Sequence, residues 1–238
     1  MDSPRPQKVI ACHQPVYLPF AGFFQKMAAV DEFVFMDFVQ LNKRSWQVRN
    51  RIKTRAGALW LSVPVYVKGK YDQLIRDARV ADDGWRRKHW EAIRHNYHAA
   101  PHFTPYADFF AEVYGRRWEW LAELNLHLIA GMRGFLGLAT PIADTAGAAF
   151  AGTKSDLIVE ICRTVGATAY VSSDGEETYI DEEIFRAAGI EHRYLGYRPI
   201  PYPQLFGDFI PNLAAIDLLF NCGPDAARVV RGEPPAEG

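Results

Sequence analysis

The order in which short apolar runs alternate with helically spaced ones constrains the fold of this chain most. Val9 to Cys12 is short and apolar and runs directly into a His13-Gln14-Pro15 turn, the pattern of a buried strand. Ala21 to Val30 follows with Phe23, Phe24, Met27 and Val30 at helical spacing, and Glu32 to Leu41, rich in Phe and Val, reads as a second strand. Trp60 to Val67 reads as a strand whose Pro64 marks an edge or a bulge. Asp83 to Tyr97 and Thr104 to Leu138 read as long helices separated at Ala100-Pro101. A further helix over Thr153 to Val165 has Thr153 as N-cap, Asp156 completing a capping-box variant, and Gly166 as the residue past its end. Then come a strand (Ala169 to Ser172), a turn (Ser173-Asp174-Gly175), a helix (Asp181 to Ala188) closed by Gly189, and a strand (Ile190 to Leu195). Tyr197 to Phe209 reads as an ordered loop and Asn212 to Asn221 as a short apolar helix. Helix, strand, turn, helix, strand is how parallel neighbours are connected. The fold class is therefore α/β: a single mixed, partly parallel sheet flanked by helices, with a helical insertion around residues 83–138. Residues 1–231 form a single domain, and 232–238, polar with Pro and Gly, form a flexible tail.

Composition narrows the partners. The 238 residues carry a formal net charge of −1, which disfavours a broad nucleic-acid surface and leaves room for a local basic patch. No apolar run reaches the length of a membrane span, and Met1 to Lys8 has no signal-peptide core. Cys12, Cys162 and Cys222 are scattered with no metal-type spacing, which fits a reducing cytoplasm.

The segment from His13 to Lys53 concentrates the chemistry. His13 stands at a strand end, where α/β folds place catalytic side chains. It is read either as a general base near neutral pH or as a histidine that shapes the following turn. Asp31 and Asp37 add carboxylates. Lys43, Arg49, Arg51 and Lys53 add cations, and the last three share one face of an extended segment. Cations so placed repel one another. A phosphate or a sugar-nucleotide pyrophosphate would relieve this, with arginine gripping bidentately; the alternative is a solvated basic face paired with Asp31 or Asp37. The turn Ser172-Ser173-Asp174-Gly175 offers backbone N–H groups to an anion or acyl oxygen, although such turns are common. Asp217 is read as a structural lock, and Asn212 as either a lock or a ligand contact. Cys12 and His13 point to opposite faces of one strand and make no nucleophilic pair. His89, His95, His98 and His102 lack acidic partners at metal spacing and read as surface or interhelix hydrogen-bonding groups, so no metal is expected. No Gly-x-Ser-x-Gly elbow, phosphate loop or dinucleotide fingerprint is present.

The run His13-Gln-Pro-x-Tyr17-Leu-Pro19-x-x-Gly22-Phe-Phe-x-Lys26, followed by Asp31-x-Phe-Val and Asp37-x-Val-Gln40, resembles the opening of the WbqC-like proteins. The likeness continues through Asn50-Arg51-x-Ile-Lys53, Trp60-Leu-x-Val-Pro64-Val, Gly166-Ala-x-x-Tyr170-x-Ser172 and Tyr202-Pro-Gln204. It closes with Phe209-x-Pro211-Asn212-Leu and Ile216-Asp217-Leu-Leu-Phe-Asn221-x-Gly223, so it spans nearly the whole chain. Ser173-Asp174 departs from the Gly-rich turn expected there. The opening also resembles, at fold level, the nucleotidyltransferase-like α/β fold, without the paired histidines of that group.

The WbqC-like resemblance implies a place in bacterial O-antigen and surface-polysaccharide biosynthesis. The implied activity is a cytoplasmic transferase that forms an amide, by acyl or aminoacyl transfer (glycine among the groups suggested), on the amino group of a nucleotide-linked amino sugar. In that reading His13 takes the proton from the amine, and Asp31 or Asp37 orients His13 or the acceptor. Lys43, Arg49, Arg51 and Lys53 hold the pyrophosphate, and Gln14, Tyr17, Ser172, Tyr202, Gln204 and Asn212 line the substrate pocket. The donor is an aminoacyl-tRNA, an acyl thioester or an amino acid with ATP, and no cofactor is specified. The alternative is a non-catalytic sugar-nucleotide-binding or scaffold protein of the same pathway.

Overall fold

The computed structural model describes residues 7–81, 84–145, 147–175 and 178–236. In chain order its elements are β1 (Val9–His13), α1 (Ala21–Ala28), β2 (Glu32–Phe35), β3 (Arg49–Thr54), β4 (Gly57–Ser62), α2 (Gly84–Tyr97), α3 (Phe103–Gly115) and α4 (Leu121–Phe135). They continue with α5 (Lys154–Thr164), β5 (Ala169–Ser172), α6 (Glu182–Ala187), β6 (Glu191–Tyr194), α7 (Ala215–Cys222) and α8 (Ala226–Val230). The chain divides into two compact units. Unit one comprises Met1–His13, Gln25–Phe35 and Thr140–Arg198; unit two comprises Gln14–Phe24, Met36–Ala139 and Pro199–Gly238.

Unit one is built on a four-stranded sheet of order β2-β1-β5-β6 in which every neighbouring pair is parallel. Parallel neighbours need a crossover, and the chain supplies α1 between β1 and β2 and α6 between β5 and β6. The central strands read Val-Ile-Ala-Cys-His and Ala-Tyr-Val-Ser, near-continuous apolar runs as expected where both faces of a sheet are covered. β1 pairs with β2 from Ile10↔Glu32 to His13↔Phe35, whereas its ladder with β5 stops at Ile10↔Tyr170. From β1 the chain moves outward to β2 on one side; from β5 it moves outward to β6 on the other. The strand order thus reverses between β1 and β5.

Helix ends in this unit follow local chemistry. Gly166 (φ 69°) closes α5, with its N–H on the Arg163 carbonyl and the Ala167 N–H on the Cys162 carbonyl. Asp181 caps α6 by accepting the Glu183 N–H at 3.0 Å. Thr153 occupies the N-cap of α5 without a side-chain cap bond, so the capping box read there does not form.

Unit two contains α2, α3, α4, α7, α8 and the antiparallel hairpin β3–β4, a separate two-stranded sheet. Its core gathers aromatic rings around Phe220 of α7: Phe103, Tyr97 and Phe110 lie 5.1, 5.2 and 5.5 Å away between centroids. α7 ends at Gly223 (φ 55°), where a Cβ would fall 2.4 Å from His102 Nδ1, so backbone and packing both require glycine.

The α/β class and the helical insertion stand, and several element boundaries differ from the sequence reading, among them the following three. β2 stops at Phe35 because the following residues find another partner: the Asp37, Val39 and Leu41 backbone bonds to Arg76, Ile75 and Gln73. β4 ends at Ser62, ahead of Pro64, and Val65 pairs only in an isolated bridge with Val80. The long helix over 104–138 is two helices. After Gly115 the chain turns extended at Arg116, and the Trp118 indole donates to the Val113 carbonyl at 2.8 Å, holding the break against α3.

Candidate functional site

In open parallel sheets, ligands bind beyond the carboxyl ends of the strands where strand order reverses. Here that point lies between the end of β1, which is His13, and the end of β5, which is Ser172 followed by Ser173. Because the ladder between these strands stops at the second residue of β1, their carboxyl ends are not paired with each other. Lys26 of α1 bridges the gap. It is 1% exposed, and its Nζ donates to the Cys12 carbonyl at 3.0 Å and to Ser173 Oγ at 3.1 Å, with the Tyr170 ring 5.8 Å away. A buried ammonium requires such partners. Half-buried His13, a lysine ammonium and a serine hydroxyl are therefore brought to one edge of the sheet. An imidazole at such a strand end can move a proton.

Ser172 is fully buried, and its Oγ lies 2.8 Å from His192 Nε2 of β6. The His192 ring stacks on Tyr170 and packs against a tilted Phe185 and an edge-on Tyr194. Ser172 thus ties β5 to β6, a structural bond in place of the substrate contact read from sequence. Asp31 also changes role. Its carboxylate accepts the Val9 N–H at 2.8 Å and its own N–H bonds the Val9 carbonyl at 2.9 Å, which puts it at the opposite end of β1 from His13. Four residues of strand, roughly 13 Å, separate Val9 from His13, so Asp31 does not orient the imidazole. Lys26 and Ser173 were missed as site residues; a lysine three residues after Phe23, on the buried face of an apolar helix, was the signal.

In unit two the predicted cations part company. Arg49, Arg51 and Lys53 do share one face of β3, opposite Ser62, Trp60 and Ala58 of β4. The Arg49 and Arg51 guanidiniums lie 4.4 and 5.6 Å from the exposed Trp60 ring, which also packs 5.4 Å from exposed Trp46. These two guanidiniums and two indoles form a surface suited to an anion or a flat ring. Lys53 belongs elsewhere. It is buried, and its Nζ donates to Gln204 Oε1 at 3.0 Å and to the carbonyls of Gly207 and Asp208 at 3.3 and 2.5 Å. It clamps the 204–208 loop and presents no charge to a ligand. Gln204 is engaged in the same lock, accepting the Ile210 N–H and donating to the Ile210 carbonyl.

Asp217, fully buried on α7, accepts the Tyr97 hydroxyl at 2.7 Å and the Tyr202 hydroxyl at 2.9 Å, while the Tyr97 oxygen accepts the Lys53 N–H at 2.8 Å. Burial holds the Asp217 carboxyl above its usual range, against the pull of both tyrosines and the Lys53 charge. Burial, then the Asp217 charge, pushes both tyrosines well up. Asp217 is the structural lock the sequence suggested, and Tyr202 is part of it. Asn212 is exposed in the left-handed region (φ 57°), its carbonyl 3.5 Å from the Arg51 guanidinium. Gln14 Oε1 accepts Gln47 Nε2 at 2.5 Å, and Lys43, in an exposed loop, lies over the Tyr71 ring at 5.2 Å. Asp37 is half-buried on the segment paired with Arg76.

Tyr17 is fully buried, with no surface open to solvent. Its hydroxyl bonds His89 Nδ1 at 2.8 Å and the Tyr114 hydroxyl at 2.5 Å. His89 also bonds the Ser62 carbonyl, yet burial lowers its pKa from 6.5 to about 4. The unfolded chain therefore takes up a proton below 6.5 that the folded chain refuses. This contribution to stability is full above pH 6.5 and lost as pH falls towards 4, roughly 3 kcal/mol in all. His89→Gln, which keeps an acceptor for Tyr17 and a donor for Ser62, should flatten the urea-midpoint slope between pH 6.5 and 4. An unchanged slope would assign the acid sensitivity to other groups.

No helix of the described residues is long and apolar enough to cross a membrane. No solved structure matches the chain. A protein of Mycobacterium tuberculosis (strain ATCC 25618 / H37Rv), named Uncharacterized protein Rv1507c, is 38% identical over 228 residues, covering 94% of this chain and 98% of that one. The model of the WbqC-like protein family matches residues 14–229, a span that takes in the Arg49–Trp60 face, Lys26, Ser173 and the Asp217 lock. The chain belongs to the WbqC-like protein family.

Proposed function

We propose that the protein is a transferase joining an activated acyl or aminoacyl group to the amino nitrogen of a nucleotide-linked sugar, in surface-polysaccharide synthesis. The observation that carries this reading is His13 at the carboxyl end of β1, at the switch point of a parallel sheet, beside the strand ends joined by Lys26. The amino-sugar acceptor is the substrate class that the family resemblance implies. The amine attacks the acyl carbon, and a C–N bond forms as His13 takes the nitrogen's proton. The bond from the acyl carbon to sulfur or oxygen then breaks, and its electron pair leaves with the donor group, which the imidazolium reprotonates. Lys26 is a positioning residue, fixing the Ser173 turn against the strand end that carries His13.

The test is an amidation assay read by mass. Nucleotide-linked amino sugars are incubated with the protein and, in separate arms, an acyl thioester, an aminoacyl-tRNA, or an amino acid with ATP. The expected product is the sugar nucleotide heavier by one acyl group. If every arm lacks it while the sugar nucleotide still binds, the second reading replaces the first: a non-catalytic sugar-nucleotide-binding protein. The Arg49–Trp60–Arg51 face of unit two favours that alternative, since it can grip an anion without chemistry. On it, Arg51→Ala should weaken sugar-nucleotide binding about tenfold, the loss of one charge-assisted contact, as measured by calorimetry.

A further inference from the structure

Unit two holds a second collection of cations that neither reading uses. A cleft of about 1050 Å³ is lined by Tyr66, Lys68, Lys70, Arg79, Arg117 and Glu119, together with Trp118 and the chain at 80–81. Four cations thus face one carboxylate among the described residues lining it. Arg79 pairs with Glu119. Neither Lys68 nor Lys70 has a carboxylate partner among the described residues, and both are exposed.

The backbone beneath the cleft is pinned. The Tyr66 N–H bonds the Arg79 carbonyl at 3.0 Å, the Val80 N–H bonds the Glu119 carbonyl at 3.0 Å, and Arg79 and Trp120 form an isolated antiparallel bridge. Three extended segments therefore hold Tyr66, Arg79 and Glu119 in register, with Arg117 two residues from Glu119. The lysines arrive on a β-turn closed by the Lys70 N–H on the Val67 carbonyl at 3.2 Å. Gly69 (φ 73°) takes its third position, the left-handed site of a type II turn. The turn sets Lys68 and Lys70 either side of the glycine, on the cleft wall.

Cations gathered on fixed backbone repel one another unless a multiply charged anion lies among them. We propose that this cleft binds the pyrophosphate group of a small molecule such as a nucleoside diphosphate. Arginine forks and lysine point charges suit phosphate oxygens, and the exposed Tyr66 ring offers a stacking face to the organic part. The cleft has the size of a small-molecule pocket. A nucleic acid would call for an extended basic surface, which a chain of net charge −1 does not favour. The site stands whether or not the protein is a transferase.

Titration calorimetry with inorganic pyrophosphate tests it at 50 and 300 mM salt. The native protein is expected to bind, more weakly at the higher salt. The K68A/K70A variant is expected to bind about tenfold or more weakly, having lost two charge-assisted contacts, with an unchanged melting temperature in the absence of ligand. Arg51→Ala, which alters only the separate Arg49–Trp60 face, is expected to keep the salt-sensitive binding that K68A/K70A loses. No binding by the native protein, or undiminished binding by K68A/K70A, overturns the proposal. Neither outcome touches the amidation assay, so the two ideas fail separately.

Discussion

His13→Ala is expected to lower amide-forming turnover by about 10²–10⁴-fold, the usual worth of a positioned general base, while leaving sugar-nucleotide affinity within a small factor. The argument is positional. His13 ends a strand whose partner on one side, β2, stays paired to the last residue, while the ladder with β5 has already stopped. The strand end is thus held firmly on one flank and is without strand pairing on the other. A half-buried imidazole there keeps access to solvent while its backbone is fixed. Losing it removes the proton acceptor alone, so kcat should fall and KM should stay. Full turnover in the variant would take His13 out of the mechanism; a matched loss of affinity would make it a binding residue. Asp31→Ala is the informative companion. That carboxylate caps the start of β1, so its loss should lower stability modestly and leave kcat close to native.

The contrast between His13 and Asp31 shows where sequence reading succeeds and where it stops. A strand end followed by a turn is a local pattern, and the positions of His13 and Ser172 at strand ends, with the boundaries of β5, were legible because apolar run and turn chemistry agreed there. Nearness in sequence suggested that Asp31 could orient His13, but a βαβ crossover returns the chain to the start of the next strand, so an acid just before β2 lies at the far end of β1. Lys53 teaches a similar lesson. Its two-residue spacing from Arg51 gave the shared face correctly, but the cover supplied by a loop about 150 residues later has no local signature. Tyr17 was placed in the substrate pocket on the family resemblance; three-dimensional packing gives its hydroxyl two buried partners. The strand read through Leu41 ended early because Asp37, Val39 and Leu41 found partners at residues 73–76, a non-local competition that apolar content cannot reveal.

Asp217→Ala should cost about 2–6 kcal/mol, at about 1–3 kcal/mol for each buried tyrosine hydroxyl left without its acceptor. Two tyrosine hydroxyls would lose their acceptor together, because Tyr97 and Tyr202 each donate to a different carboxylate oxygen. Tyr97 also receives the Lys53 N–H, so the disturbance reaches β3, and Tyr202 belongs to the loop that Lys53 clamps. One side chain thus couples α2, α7, β3 and the loop over 199–213, and its loss should register as a cooperative loss of stability. Asp217→Asn separates charge from hydrogen bonding. Its carbonyl oxygen can accept from one tyrosine, while its amide, a donor only, faces the other hydroxyl, so about 1–3 kcal/mol is expected. Urea unfolding reads both variants, with the slope m unchanged if only the native state is affected. An Asp217→Ala variant within about 1 kcal/mol of native would mean that the tyrosines find new partners at little cost, and that the lock holds the loop in place without stabilising the unit.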